Sequence, residues 1–233
     1  NYLLPKLLRQ LCDIDGIRWI RLMYCYEDRI TDELMKVIAE NKKICKYIDI
    51  PIQHVSDKIL TAMNRRSTRI TIENTIRKLR QAMPDIHIRT TLITGFPGES
   101  EEDTKLLESF IEDMKFERLG VFAYSREEGT IASSMKNQIP EKTKLVRMDR
   151  LMRIQQQVSL EHNRQKIGQC FEVLVEGREE DRYTGRTSFD APDIDNKVFF
   201  TSCIPLSPGD FVMVKIDDGF DYDLTGHAII EEN

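Results

Sequence analysis

The chain has 233 residues, of which 40% are hydrophobic and 31% are charged, a composition typical of a soluble globular protein. This length is enough for one large domain, or for one medium and one small domain. No apolar run approaches the roughly 18 residues that a membrane span requires, so the sequence predicts a protein without a membrane segment. The first residue is Asn1 rather than methionine, which favours a chain that begins inside a longer protein.

The five cysteines lie far apart in the sequence, at Cys12, Cys25, Cys45, Cys170 and Cys203. None has another cysteine within ten residues, which excludes C-x-x-C and zinc-ribbon spacings. An odd number without close pairs is typical of reduced thiols in a cytosolic protein. We therefore predict a cytoplasmic location and expect each cysteine to be a small buried residue. Cys25 follows a predicted strand and is the one that could lie at the rim of a pocket.

The first two-thirds of the chain alternates strand and helix signals. Branched and aromatic runs predict four strands, at residues 18–24, 46–52, 86–94 and 119–124. Helical spacing separates them, with an N-cap at Thr31 and a capping box formed by Ser100 and Asp103. A long helix over about 141–167 follows. This alternation predicts a parallel sheet with right-handed crossovers, in the α/β class.

From Gln169 the pattern changes to short strand candidates separated by turn-rich pieces. Their ranges are 170–176, 182–189, 197–201, 211–217 and 222–230. Five strands in so short a segment predict a small closed barrel of the oligonucleotide-binding type, because closure removes exposed sheet edges. The sequence therefore predicts two domains, residues 1–168 and residues 169–233.

Loops after the predicted parallel strands are the places to look for function, because such loops surround one opening. The loop Gly95-Phe96-Pro97-Gly98-Glu99 lets the backbone approach a ligand closely, although an ordinary strand-to-helix turn has the same residues. Gln53 and His54 end the second strand and could bind a cofactor or only be solvated. Arg126 could clamp a carboxylate or form a surface ion pair. The standard nucleotide, phosphate and zinc motifs are absent, so the residues alone indicate no reaction.

Five segments, in this order, resemble the radical S-adenosylmethionine methylthiotransferases of the RimO type. They are residues 14–22, 46–54, 93–99 and 119–130, and Tyr183-Thr184-Gly185-Arg186 together with 190–195. The resemblance implies a partial (β/α)6 barrel of about four βα units followed by a small all-β TRAM barrel. It also implies the C-terminal part of an enzyme that adds a methylthio group to the β-carbon of an aspartate in a small-subunit ribosomal protein. Its cofactors would be S-adenosylmethionine and, in the full-length enzyme, two 4Fe–4S clusters.

The resemblance also implies roles for particular residues. The cysteines that hold both clusters would precede Asn1, so this chain alone is expected to be inactive, with no catalytic or metal-binding residue of its own. The wall of the S-adenosylmethionine pocket would be formed by Gln53, Arg89, Gly95, Phe96 and Pro97. Contacts with the substrate protein would come from Arg126, Arg186, Asp190 and Asp193.

Charge separates two possible substrates. A sister group, the MiaB type, modifies transfer RNA and also ends in a TRAM domain. Residues 169–233 carry 15 acidic and 5 basic residues, whereas residues 1–168 carry 24 acidic and 29 basic ones. An acidic tail repels a phosphate backbone and favours a basic ribosomal protein, so a ribosomal protein is the expected substrate rather than transfer RNA. We also expect the enzyme to be a monomer. The alternatives are a transfer RNA methylthiotransferase of the MiaB type and a non-catalytic protein-binding module.

Overall fold

The structure is a computed structural model that describes residues 2–229. Within these residues there are seven helices, α1–α7. They span Leu4–Cys12, Asp32–Glu40, Asp57–Ala62, Arg69–Ala82, Glu101–Met114, Ile131–Ser134 and Glu141–Arg164, and a 3-10 turn spans Glu27–Arg29. The strands of the first part, β1–β4, are Ile20–Leu22, Ile44–Gln53, His87–Thr94 and Arg118–Ala123. The strands of the tail, β5–β9, are Cys170–Glu179, Arg182–Thr187, Val198–Thr201, Phe211–Gly219 and Leu224–Ile229.

The first part is a four-stranded parallel sheet in the order β1-β2-β3-β4, as predicted. One face of the sheet carries a row of isoleucines in β2 that pack into the main core against the helices. Because side chains alternate across a strand, Tyr47, Asp49 and Gln53 of β2 belong to the opposite face, as do Arg89 and Thr91 of β3. We call this second face the inner face.

The predicted helix signals are largely confirmed. Thr31 accepts a hydrogen bond from the Leu34 N–H and caps α2, and Ser100 with Asp103 forms the capping box of α5. Several boundaries differ from the prediction. Helix α7 ends at Arg164 and β1 covers only three residues, whereas β2 and β5 are longer than predicted. Helices α1 and α6 were not predicted.

The tail is a closed barrel with strand order β5-β6-β7-β9-β8, which confirms the predicted five-stranded barrel. All neighbouring pairs are antiparallel except β7 and β9, which are parallel. Branched and aromatic side chains fill the interior, including Val175, Val198, Phe200 and Ile216. The last residue of the predicted strand 222–230, Ile230, lies outside the described residues.

The tail barrel packs on the half of the inner face nearest the N-terminal ends of the strands. We call this contact the junction. Ala191 packs there with Cys45 and Tyr47. Aromatic rings add the pairs Trp19–Phe211 and His87–Phe189. Three ion pairs also cross the junction, Arg18–Glu172, Arg89–Asp195 and Arg118–Asp190.

Two cysteines differ from the prediction. Cys170 and Cys203 are exposed, whereas Cys45 is buried and Cys12 and Cys25 are partly buried. Cys203 lies outside regular structure, beyond the end of β7, and Cys170 begins β5, so neither is enclosed by a core. Among residues 2–229, no helix is both long and apolar enough to cross a bilayer.

Candidate functional site

The part of the inner face that the tail leaves open forms a cleft at the C-terminal ends of the strands. Its volume is about 330 Å³, within the roughly 300–1,000 Å³ of typical ligand pockets. The lining residues come from the turn after β1, from the end of β2, from β3 and from the loop before α4: Tyr24, Cys25, Tyr26, Pro51, Gln53, Arg65 and Thr91. We call this site the cleft.

Gln53 is the predicted cofactor residue that the structure places in the cleft. Its backbone φ is +72°, a left-handed conformation that is uncommon outside glycine and often marks a functional constraint. Its side-chain oxygen Oε1 is buried and has no hydrogen-bond partner among residues 2–229. A buried acceptor without a partner is costly, so the site fits a ligand that donates a hydrogen bond, as an amino or hydroxyl group does.

Tyr24 and Tyr26 give the cleft an aromatic rim. Tyr24 is 76% exposed and Tyr26 is 58% exposed, and the guanidinium carbon of Arg65 lies 5.2 Å from the centre of the Tyr26 ring. Exposed rings next to a cleft offer stacking surfaces for a planar group. We did not predict these residues. The signal that could have found them is the pair of aromatic residues directly after a strand end.

Arg89, which was predicted to form part of the cofactor pocket wall, lies deeper on the inner face and does not line the cleft. Its Nη1 donates to Asp49 Oδ1 at 2.9 Å, and its Nε lies 3.3 Å from Asp195 Oδ1 in the tail. Burial lowers the pKa of Arg89, but the bonds to these two carboxylates outweigh burial and the pKa is raised. The guanidinium is therefore a cation committed to two buried partners, below the floor of the cleft.

The loop Gly95-Phe96-Pro97 follows β3, as predicted, but its three residues are buried and are not part of the cleft lining that the described residues form. Phe96 packs edge-on against the ring of Tyr124. Gly95 has a φ of +76°, and a Cβ there would lie 2.9 Å from the Cβ of Lys144 and closer still to its Cγ. Glycine is required because the Lys144 side chain of α7 crosses directly over this backbone.

Glu99, at the end of the same loop, is the centre of a buried polar network. Its Oε1 accepts from Arg147 Nη1 at 2.7 Å and from Thr94 Oγ1 at 3.0 Å, and its Oε2 accepts from the Gly95 N–H at 2.8 Å. His54 Nε2 lies 3.4 Å from Oε2, at the outer limit of a hydrogen bond. Glu99 thus joins the ends of β2 and β3 to α7.

The orientation of His54 explains why it is not a cleft residue. Its side chain is fully buried, and its Nδ1 accepts hydrogen bonds from the backbone N–H groups of Val55 and Ser56, both at 2.9 Å. The ring proton therefore lies on Nε2, which points at Glu99. His54 holds a turn, whereas its neighbour Gln53 faces the cleft.

The network predicts acid sensitivity. Burial raises the pKa of Glu99, but the His54 ring and the hydrogen bonds from Gly95 and Thr94 outweigh burial and hold the pKa below its usual value. A lowered carboxyl pKa in the folded state stabilises the protein above the unfolded-state pKa, and this stability is lost as the pH falls through the folded pKa.

We therefore expect Glu99→Gln to lower the free energy of unfolding by about 2 kcal/mol at pH 7, and by less as the pH falls below about 4.5. The loss at pH 7 stays moderate because Arg147 retains a second carboxylate partner, Glu101, whose Oε2 lies 3.8 Å from Arg147 Nε. Urea unfolding at several pH values measures the difference, with the exposed Glu128→Gln as control. A difference that grows on acidification would contradict the assignment.

Of the four predicted substrate contacts, the structure brings two together, because Arg186 Nη1 donates to the Asp190 carbonyl at 3.4 Å. Arg126 lies in an exposed loop, where its Nε donates to the Ser133 carbonyl at 2.8 Å. Asp193 is exposed and has a φ of +66°. Arg186 lies at the junction, paired with Glu176 at 2.6 Å and set over the Trp19 ring. Asp190 is 2% exposed and paired with Arg118.

Asp190 is therefore buried in the junction and, contrary to the prediction, does not lie at a surface where a partner could contact it. Its Oδ1 accepts from Arg118 Nε at 3.0 Å and from Nη2 at 2.5 Å, and its Oδ2 accepts from Thr187 Oγ1 at 2.7 Å. Both oxygens are thus used inside the molecule. A substrate could contact Asp190 only if the junction opened.

The side chains that could bind a metal do not cluster in the described part of the chain. Among residues 2–229, no group of three or more His, Cys, Asp or Glu side chains is arranged to hold a metal ion. Iron–sulfur clusters are held mainly by cysteine thiolates, and the cysteines here are dispersed over the fold. The described residues therefore do not fit an iron–sulfur cluster.

Two protein families match the chain. The radical SAM superfamily matches residues 1–111, and the TRAM domain matches residues 167–229. The first match covers β1–β3 and the residues that line the cleft, and the second covers the tail barrel. The predicted domain boundary between residues 168 and 169 remains a prediction.

Curated relatives match nearly the whole chain. The "Ribosomal protein uS12 methylthiotransferase RimO" of Caldanaerobacter subterraneus subsp. tengcongensis is 53% identical over 224 residues, 96% of this chain and 51% of that protein. Proteins of the same name from Lachnoclostridium phytofermentans and Clostridioides difficile are 49% and 50% identical over 97% and 98% of this chain, and 52% of each relative is covered. The chain therefore spans about half the length of the curated relatives it matches.

Solved structures give a weaker likeness. The radical S-adenosylmethionine methyltransferase TsrM from Kitasatospora setae, with cobalamin and a [4Fe-4S] cluster bound, has a TM-score of 0.45 at 19% identity, covering 55% of this chain and 27% of that one. That score is too low to bear on function. The two domain matches and the relatives at about 50% identity agree with the parallel sheet and the closed tail barrel. The chain belongs to the RimO methylthiotransferase family of the radical SAM superfamily, with a TRAM domain as its tail barrel.

Proposed function

We propose that this chain is the C-terminal part of a methylthiotransferase that adds a methylthio group to the β-carbon of an aspartate in ribosomal protein uS12. One observation carries the proposal: proteins named ribosomal protein uS12 methylthiotransferase are 49–53% identical to this chain over 96–98% of its length. The open cleft supports it, because the cleft lies at the C-terminal ends of the strands, where parallel α/β folds bind ligands.

The superfamily implies S-adenosylmethionine and 4Fe–4S clusters as cofactors. In the cleft, Gln53 would hold the S-adenosylmethionine by accepting a hydrogen bond at Oε1, and Tyr24 and Tyr26 would contact its planar base. The buried residues Gly95, Phe96 and Pro97 would not contact the cofactor directly but would fix the position of the end of β3. When bound, S-adenosylmethionine supplies the radical chemistry of the superfamily.

The clusters do not fit the described residues. We propose that the complete enzyme holds two 4Fe–4S clusters on cysteines outside this chain. The part of the protein described here would bind and orient S-adenosylmethionine and position the substrate, while the electron for the reaction would enter elsewhere.

A chimera tests the enzymatic proposal. Residues 1–233 would replace the matching half of the Caldanaerobacter relative, and the product would be reconstituted anaerobically with iron and sulfide. We expect mass spectrometry of uS12 incubated with the reconstituted chimera, S-adenosylmethionine, sulfide and a reductant to show one aspartate carrying a methylthio group. Unmodified uS12, with the chimera folded and its clusters bound, would overturn the proposal; the unaltered relative is the positive control.

The charge of the tail supports a protein substrate over transfer RNA. Three tail carboxylates, Glu172, Asp190 and Asp195, are neutralised by arginines of the first part. The other twelve acidic residues still outnumber the five basic ones. This excess suits a basic ribosomal protein in the cytoplasm, and we propose that the enzyme acts as a monomer.

Binding to the full chain tests this preference. The isolated tail is unsuitable, because removing the first part would expose the three junction carboxylates and create an artificial acidic patch. We expect labelled uS12 to bind the full chain with an affinity that falls as salt rises, and transfer RNA to bind more weakly at every salt concentration. Tighter binding of transfer RNA, measured by fluorescence anisotropy, would favour the RNA substrate instead.

A further inference from the structure

A continuous chain of polar contacts connects the TRAM domain with the wall of the cleft. It begins at Asp195, whose Oδ1 lies 3.3 Å from Arg89 Nε. Arg89 Nη1 then donates to Asp49 Oδ1 at 2.9 Å, and Asp49 Oδ2 accepts the backbone N–H of Tyr24 at 2.9 Å. The contacts therefore pass from the tail through β3 and β2 to the turn after β1.

The cleft end of this chain holds a strained turn. Tyr24 has a φ of +56°, a conformation that costs a residue with a Cβ about 1–2 kcal/mol. Asp49 holds the turn twice, because its carboxylate binds the Tyr24 N–H and its backbone carbonyl accepts the Cys25 N–H at 2.8 Å. The position of this wall of the cleft therefore depends on the position of Asp49.

The tail end is equally well held. Asp195 Oδ2 accepts the Tyr47 hydroxyl at 2.6 Å and the Ala191 backbone N–H at 2.8 Å. The side chains of Asp49 and Asp195 are almost fully buried, and that of Arg89 is 16% exposed. In such surroundings each charge is stabilised mainly by its partners, so a change at Asp195 alters how Arg89 holds Asp49.

We propose that Asp49 and Arg89 are positioning residues that make the affinity of the cleft for S-adenosylmethionine depend on the docking of the TRAM domain through Asp195. This inference rests on the proposed function, because it takes the ligand of the cleft from it. A substrate protein that shifts segment 190–195 would then change cofactor affinity, and bound cofactor would change substrate affinity by the same factor.

Two matched substitutions separate this coupling from loss of stability. Asp195→Asn removes the carboxylate charge that pairs with Arg89. Asp190→Asn removes the charge of the neighbouring junction pair, Asp190–Arg118. None of the contacts described above connects that second pair with the cleft. Both carboxylates are buried and both are paired with an arginine of the sheet. Tyr47→Phe is a milder third variant, since it removes one hydrogen bond to Asp195 and no charge.

The first measurement does not need the cofactor. Cys25 lies in the wall of the cleft, where burial and then the charge of Asp49 raise the pKa of its thiol to about 11. We expect Asp195→Asn to speed maleimide labelling of Cys25 by about fivefold or more, and Asp190→Asn to leave the rate near that of the wild type. Peptide mass spectrometry identifies the labelled cysteine, and the exposed Cys170 and Cys203 serve as internal references.

The second measurement is the dissociation constant for S-adenosylmethionine, by calorimetry on the full chain. We expect about a fivefold or greater loss for Asp195→Asn, a smaller loss for Tyr47→Phe, and little change for Asp190→Asn. Equal labelling rates in the Asp195 and Asp190 variants would overturn the coupling. If the wild type binds no S-adenosylmethionine while labelling still separates the variants, the proposed ligand fails and the coupling stands.

Discussion

Asp190→Ala is expected to lower the free energy of unfolding by about 3–5 kcal/mol, the usual cost of removing one partner of a buried ion pair. The reason is Arg118, which is as deeply buried as Asp190 and would keep its charge without a counter-ion. Burial lowers the pKa of Arg118, but in the wild type the carboxylate of Asp190 outweighs burial and the pKa is raised. Without that carboxylate Arg118 still cannot escape the cost by losing its proton, because a guanidinium stays charged in proteins. Urea unfolding at pH 7 measures the effect.

Two further variants define what this result means. Asp193→Asn changes an exposed carboxylate of the same segment and is expected to cost less than about 0.5 kcal/mol. The double variant Arg118→Met with Asp190→Ala removes both charges and is expected to recover part of the loss, because apolar replacements of buried pairs are often tolerated. A double variant less stable than Asp190→Ala alone would contradict the role of the unpaired arginine.

Gly95→Ala is expected to lower the free energy of unfolding by about 3 kcal/mol, through two effects that add. A left-handed φ costs alanine about 1–2 kcal/mol, and forcing a methyl group into a packed site costs about 1–3 kcal/mol. Lys144 cannot easily yield, because it is 5% exposed and its Nζ is held by the Tyr124 carbonyl at 2.8 Å.

Gly98→Ala is the matched control, three residues along the same loop. Gly98 also has a left-handed φ, +83°, but a Cβ there would meet nothing within 4 Å. We therefore expect it to cost only the conformational part, about 1–2 kcal/mol. Thermal and urea unfolding of both variants would show the difference, and equal losses would mean that the contact with Lys144 contributes nothing.

The features that the sequence predicted correctly are local. The strands, the capping box at Ser100 and the five tail strands each depend on residues within one short window, where periodicity and turn chemistry act. Gln53 was found for the same reason, because it ends a strand whose apolar residues are visible in the sequence. Short-range patterns were therefore enough for the architecture and for two residues of the cleft, Gln53 and Cys25.

The parts that could not be predicted join distant positions. Arg118 and Asp190 are 72 residues apart, and the bonds of Asp195 to Tyr47 and Arg89 connect the tail with two strands of the sheet. Nothing near Asp190 in the sequence distinguishes a buried carboxylate from one that faces a partner. For the same reason the acidic tail indicated a partner surface, although three of its carboxylates serve the junction.

The segment that forms much of the junction is also the connection between β6 and β7. Two pairs of the barrel join strands that are not neighbours in sequence, the parallel pair β7–β9 and the antiparallel pair β5–β8, whereas β5–β6 and β8–β9 are hairpins that form from local contacts. Non-local pairing is the slow step in folding of such topologies. We therefore expect the two hairpins to form early and the barrel to close late. Closure would follow the packing of the β6–β7 connection against the parallel sheet, which positions β7 for pairing.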